Sequence, residues 1–331
     1  MLDGMSENNV NVSNVSNIML YLIDTYIESV IAGLNSNQNS SQKSTSTSDI
    51  LKNVRSSIIS KIVNKIYDVN KLFYSRLSVV NDYIDSIVSG FVSAGYGVAV
   101  FDVVLESRAL AGVSGGLLKV VFEIGLDWDL LLDVPVFRGS SLKGAVAGYI
   151  ESLLVEKYGQ SCRCSKGYVH DCIRSTCEKR DIVSVSRLFG FTPDKCDDCG
   201  RGLLLFSDMY PVSPNSDGLL VVPHVITPHY YKGGEVVRFE YEAEPTPIQH
   251  VVIAPGSRWR FVVAYDRLDE DKLRRHLDEA VKLVDGGGVS SVGEGIGVLV
   301  MAALSTGGIG ARTTKGYGLF RLEGFRWVGY E

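Results

Sequence analysis

The chain has 331 residues, 45% of them hydrophobic and 21% charged, with a formal net charge of −5 and a pI near 5.6. That composition belongs to a globular protein with its own core and excludes a disordered chain. The acidic balance argues against a free-standing, non-specific nucleic-acid binder, but it leaves room for one locally basic face.

Residues 1–17 are polar and rich in Asn, Ser and Val, which predicts a loosely packed start with no basic leader. A short helix is expected from Ile18 to Leu34; Asp24 and Glu28 interrupt its apolar run, so it does not span a bilayer. The chain is therefore expected in the cytoplasm, away from membranes. Residues 35–48 form a Ser/Asn/Gln/Thr tract with the lone charge Lys43, read as a flexible linker. The N-terminal unit, 1–48, is thus a flexible segment with one helix.

From Asp49 to Ser89 apolar residues recur at three- and four-residue steps: Val54, Ile58, Ile62, Ile66, Val69, Phe73, Leu77, Val80, Ile84 and Ile87. This is one face of a helix, or of two, filling a unit at 49–90. Strands are expected at 98–105 and 119–126, a helix at 145–155, strands at 203–206, 219–222 and 258–264, helices at 269–284 and 292–304, and a last strand at 319–328. That order fits an α+β fold of one or two ferredoxin-like (βαββαβ) units with insertions, spanning 91–331 behind the helical N-terminal segment.

All six cysteines fall in one insertion, 158–202, with the spacing C-x-C-x7-C-x4-C-x18-C-x2-C. Cys172, Cys177, Cys196 and Cys199 approach a two-knuckle zinc pattern, with Cys162, Cys164 and His170 as alternates. A structural zinc ion would organise an insertion that has little core of its own. Disulfides or free thiols are the competing readings.

Two glycine-rich stretches carry cations and no acid. Residues 307–318 read Gly-Gly-Ile-Gly-Ala-Arg-Thr-Thr-Lys-Gly-Tyr-Gly, and 137–144 read Phe-Arg-Gly-Ser-Ser-Leu-Lys-Gly. Glycine allows positive φ and close backbone approach, so N–H groups of Gly307, Gly308 and Gly310 could converge on an anion. Arg312 and Lys315 add charge, Thr313 and Thr314 add short donors, and Tyr317 could either stack on a base or pack on the sheet. In the second stretch Arg138 and Lys143 supply charge, while Gly139, Ser140 and Ser141 open a helix whose start is itself an anion site.

The two stretches, in this order and context, resemble the paired motifs of the RAMP superfamily of CRISPR proteins. Arg187-Leu-Phe-Gly190, Gly202-Leu-Leu-Leu-Phe-Ser-Asp208, Ile226-Thr-Pro-His-Tyr230, Pro245-Thr-Pro-Ile248 and 252–261 are more narrowly similar to the sixth-subunit family of type III-B (Cmr) effector complexes. The resemblance covers roughly 98–327. The stretch 238–244 and the cysteine-rich insertion depart from that family's pattern. The resemblance implies an RRM-like RAMP fold and a non-catalytic subunit that binds crRNA, meets target RNA and sits among other Cmr subunits. Residues 315–322 also match the first four positions of the RNP1 octamer. Leu319 stands where the second stacking aromatic belongs, and no helix and strand could follow, so an ordinary RRM is set aside.

A RAMP endoribonuclease is the alternative, with His224 or His229 as general base, or Asp208 or Asp102 in a metal-assisted reaction. A protein-only scaffold held by zinc is the third reading.

Overall fold

The computed structural model describes residues 17–38, 47–113, 117–122, 124–158, 180–190, 201–227, 231–232, 235–244 and 247–328. In chain order the elements are α1 (Ile18–Gln38), α2 (Thr47–Ser93), β1 (Tyr96–Leu105), β2 (Trp128–Asp129), β3 (Val134–Pro135), α3 (Gly139–Tyr158) and α4 (Arg180–Phe189). There follow β4 (Leu205–Phe206), β5 (Tyr210–Ser213), β6 (Val221–Ile226), β7 (Tyr231–Lys232), β8 (Glu235–Val236), β9 (Ile248–Ile253) and β10 (Arg258–Asp266). The chain closes with α5 (Glu270–Val284), α6 (Val292–Ala302) and β11 (Phe320–Val328).

The main sheet is antiparallel in the order β11–β1–β10–β4, with β5 also paired to β10. β1, α3, the split strand β4/β5, β10, α5–α6 and β11 therefore make one βαββαβ unit with the 4-1-3-2 strand order of a ferredoxin-like fold. Among the described residues there is one such unit; β6 and β9 form a separate two-stranded sheet beside it.

Successive residues of β1 point to opposite faces. Phe101 stacks on Phe261 at 4.8 Å and meets Phe325 edge-on at 5.1 Å, against α6, where a Cβ on Gly297 would touch the Phe325 ring. Each such aromatic pair adds about 1 kcal/mol beyond area burial. Its neighbour Asp102 points the other way, pairing with Arg260 at 2.5 Å, and Arg260 reaches Asn81 of α2. The sheet is thus sandwiched, with α2 lying across β1, β5 and β10. This is the face on which an RRM would stack bases, so its burial bears out setting that reading aside.

The apolar periodicity of α2 is fully used from Ile66 onward: Ile66, Val69, Phe73, Leu77, Val80 and Ile84 are all buried. The helix is single rather than paired, and it starts at Thr47, inside the expected linker. Asn70 ties it to β6. Its amide accepts from Leu220 N (2.6 Å) and Val221 N (3.0 Å) and donates to Val221 O and Ile66 O. A side-chain amide here completes a strand edge, which satisfies a buried polar group on a helix face.

Three expectations are corrected. The helix expected at 145–155 starts at Gly139. The described residues of 119–126 form no strand; Leu117–Val120 is a 3₁₀ turn, and Leu118, Val121 and Phe122 are all buried in the core. Contiguous apolar residues suit either geometry, and packing beside α1 selected the turn. Helix α4 and strands β5 and β9 were not anticipated. All six cysteines and His170 lie outside the described residues, and so does His229.

Candidate functional site

The loop between α6 and β11 begins where the helix widens into a π turn at Ala303–Gly307. Gly308, Gly310, Gly316 and Gly318 all have positive φ, as does Arg312 at φ 65°. Of the backbone N–H groups expected to face an anion, that of Gly308 is bonded to Ala303 O; elsewhere in the loop those of Ile309, Ala311, Lys315, Gly316, Tyr317 and Gly318 are also bonded to backbone carbonyls. Ile309 donates to Gly318 O, Ala311 to Leu110 O and Gly318 to Arg108 O. A Cβ on Gly310 would sit 2.2 Å from Leu110 O, and one on Gly318 2.0 Å from Ile309 O. Gly307 lies under Tyr149 of α3. These glycines let the loop cross itself and the segment after β1, because only a residue without Cβ fits such approaches. Among the side chains, Arg312, Thr314 and Lys315 are exposed and Thr313 is half-buried.

Tyr317 is not free to stack on a base. Its hydroxyl is 2.6 Å from Nε2 of His224 on β6, and the Arg312 guanidinium sits over its ring at 5.7 Å. It packs with Ala311 against Leu110, Ile226 and Val252. His224 in turn lies 5.3 Å, ring to ring, from the buried His250 on β9. Burial pushes the His250 imidazole down to about 4, partly opposed by its hydrogen bond with Ile248 O. Burial also lowers His224, and the charges of Arg108 and Arg312 add to the effect. In both rings burial disfavours the imidazolium form. Arg108, exposed just after β1, was missed by sequence reading. No motif marks it, and only the fold brings it beside the loop.

The first motif is built differently from its sequence reading. Phe137 bridges Met209 through two backbone hydrogen bonds, and Gly139 fits where a Cβ would lie 2.5 Å from Phe206 O. Asp208, not a serine, caps α3: its Oδ1 accepts from Gly139 N at 2.6 Å while its Oδ2 pairs with Arg138 at 3.1 Å. Arg138 also donates to Trp128 O. Ser140 and Ser141 are exposed in the first turn. Lys143 is half-buried there, and desolvation lowers its pKa. Arg138 is therefore the least available of the expected cations, because a carboxylate already neutralises it.

The fold brings the two motifs together at their ends. Phe137 meets Phe320 edge-on at 5.7 Å just past the loop, and α3 packs along the π turn. Among the described residues the candidates for catalysis lie apart: Asp208 is engaged with α3, Asp102 with Arg260, and His224 with Tyr317. Among the described residues no group of three or more His, Cys, Asp or Glu could hold a metal ion, and no helix is long and apolar enough to cross a membrane.

Comparison with known proteins gives a consistent set of matches. The family model for the RAMP superfamily matches residues 92–321. The CRISPR system CMR subunit Cmr6 of Saccharolobus solfataricus is 28% identical over 255 residues, covering 77% of this chain and 68% of that protein. A chain of the cryo-EM structure of the type III-B Cmr-beta complex bound to cognate target RNA superposes with a TM-score of 0.61. It is 23% identical, and the match covers 95% of this chain and 93% of that one. This likeness bears out the α+β RAMP fold.

Proposed function

The chain belongs to the RAMP superfamily, and from that premise we propose that it is a non-catalytic, crRNA-binding subunit of a type III-B effector complex, acting in the cytoplasm in antiviral defence. It would hold the 3′-proximal guide backbone and cap the row of subunits, meeting target RNA as part of the assembly. The similarity to Cmr6 and the fold shared with a chain of a target-bound Cmr complex support the setting.

The observation that carries the RNA reading is the loop 307–318. Its backbone is tied down internally, while Arg312 and Lys315 stay exposed and make no ion pair among the described residues. A rigid platform presenting unpaired cations suits phosphates, which supply affinity and salt dependence without sequence readout. A subunit that must hold any guide needs that property. Arg312→Ala with Lys315→Ala is expected to weaken binding of single-stranded RNA on the order of 100-fold. It should also flatten the dependence of affinity on salt, both measured by fluorescence anisotropy. Unchanged affinity and slope would sink the proposal. RNA cleavage by the purified chain, abolished by His224→Ala, would put the endoribonuclease reading in its place.

Zinc is proposed as a structural ion of the insertion 158–202, held by Cys172, Cys177, Cys196 and Cys199. The expected result is about one zinc per chain by elemental analysis, released by a chelator with loss of stability. Metal-free, stably folded protein would leave disulfides or free thiols.

A further inference from the structure

Beside the loop stand two residues from outside both sequence motifs, Arg108 and His224. Arg312 lies over one face of Tyr317, the Tyr317 hydroxyl contacts His224 at 2.6 Å, and the Arg108 carbonyl accepts the N–H of Gly318, next in sequence to Tyr317. One arginine and one imidazole thus contact the same tyrosine, and the backbone of a second arginine, Arg108, is tied to the residue beside it. Arg108 and Arg312 are both exposed, and neither makes an ion pair among the described residues. The titratable and charged groups facing His224 are Arg108 after β1, Arg312 and Tyr317 on the loop, and His250 on β9. Among the described residues none of these is a carboxylate, so Arg108 and Arg312 leave the cluster positive.

We propose that Arg108, Arg312 and His224 form a seat for one phosphodiester of single-stranded RNA, in which Arg108 is a binding residue and His224 gains a proton from solvent when the phosphate arrives. The seat rests on the RNA-binding reading above and names the residues that complete it. Tyr317 is its floor, holding His224 in place and carrying Arg312 on its ring. His250 closes the back: it is fully buried, its Nδ1 faces Ile248 O, and its Nε2 has no hydrogen-bond partner among the described residues. A neutral, buried ring there offers His224 no competing charge. Without ligand, burial and then the charges of Arg108 and Arg312 disfavour the His224 imidazolium; an anion between the arginines offsets their charge and shifts the balance towards it.

The test uses the full-length chain and a short single-stranded RNA of mixed sequence, titrated by anisotropy over a range of KCl. Arg108→Ala is expected to weaken binding about tenfold and to reduce the salt slope by about 0.7, one phosphate's share on a single strand. Arg108→Gln should do the same, and circular dichroism reports whether either variant is folded. Because both arginines serve one phosphate, Arg108→Ala with Arg312→Ala should lose no more slope than either alone. Wild-type affinity should rise from about pH 7.5 to about pH 6, and His224→Asn should abolish that rise. If Arg108 variants bind like wild type while Arg312→Ala with Lys315→Ala weakens binding, the seat is wrong and the RNA reading survives. If wild type binds no RNA, both fail. A pH response that survives in His224→Asn removes the proton step and overturns the proposal as stated.

Discussion

Asp133→Ala is expected to destabilise the protein by about 3–5 kcal/mol, the cost of stripping one partner from a buried charged network. The Asp133 carboxylate is buried and accepts from Ile18 N at 2.6 Å, Met19 N at 3.4 Å and Trp128 Nε1 at 3.1 Å. Arg76 of α2 adds an ion pair at 3.5 Å. One side chain therefore caps α1, fixes the indole and anchors the long helix. Alanine would leave the first N–H groups of α1 and the indole N–H without acceptors in a site closed to water. The residue also has φ 55°, which Asp and Asn tolerate better than alanine. Urea unfolding should show a lower midpoint, with Asp133→Asn in between because it keeps an acceptor but not the charge. A loss under about 1 kcal/mol for alanine would mean that α1 is held by its apolar face alone.

Gly318→Ala is expected to weaken RNA binding on the order of 100-fold without altering any charge. Gly318 has φ 72°, and its new Cβ would lie 2.0 Å from Ile309 O. The Ile309–Gly318 and Gly318–Arg108 hydrogen bonds hold the two arms of the loop, so the clash has to open them. The expected cost is about 2–3 kcal/mol from backbone strain and lost hydrogen bonds, with RNA affinity falling as far as in the Arg312/Lys315 double variant. Gly316 supplies the control. It too has positive φ, at 78°, but nothing lies within 4 Å of its added Cβ. Gly316→Ala should cost about 1–2 kcal/mol and leave affinity nearly intact. Anisotropy on both variants decides the matter: equal losses would mean that the crossing of the two arms is irrelevant to binding.

These contrasts mark where sequence reading reached its limit. The paired motifs were legible because glycine and cation clusters are rare and local. Their roles were not, because two residues with the same composition have different partners in space. Arg138 and Arg312 look alike in sequence, yet Arg138 is neutralised by Asp208 whereas Arg312 remains exposed beside Tyr317. Asp208 resembled a catalytic acid until the fold placed it at the start of α3. Leu118, Val121 and Phe122 read as a strand because an apolar run has no period to distinguish strand from turn.

The sequence alone determined the α+β class, the apolar face of α2 and the glycine-rich loop before the final strand. Each is written in periodicity or in residues with special backbone freedom, and both act over a few positions along the chain. Only the tertiary structure decided that α2 closes the sheet face an RRM would offer to bases, and that N–H groups of Ile309, Ala311 and Gly318 tie the loop to itself and to the segment after β1. It also decided that Arg108 and His224 stand beside that loop. Those outcomes depend on contacts between residues far apart in sequence, where burial, close approach and charge are settled by packing rather than by local pattern.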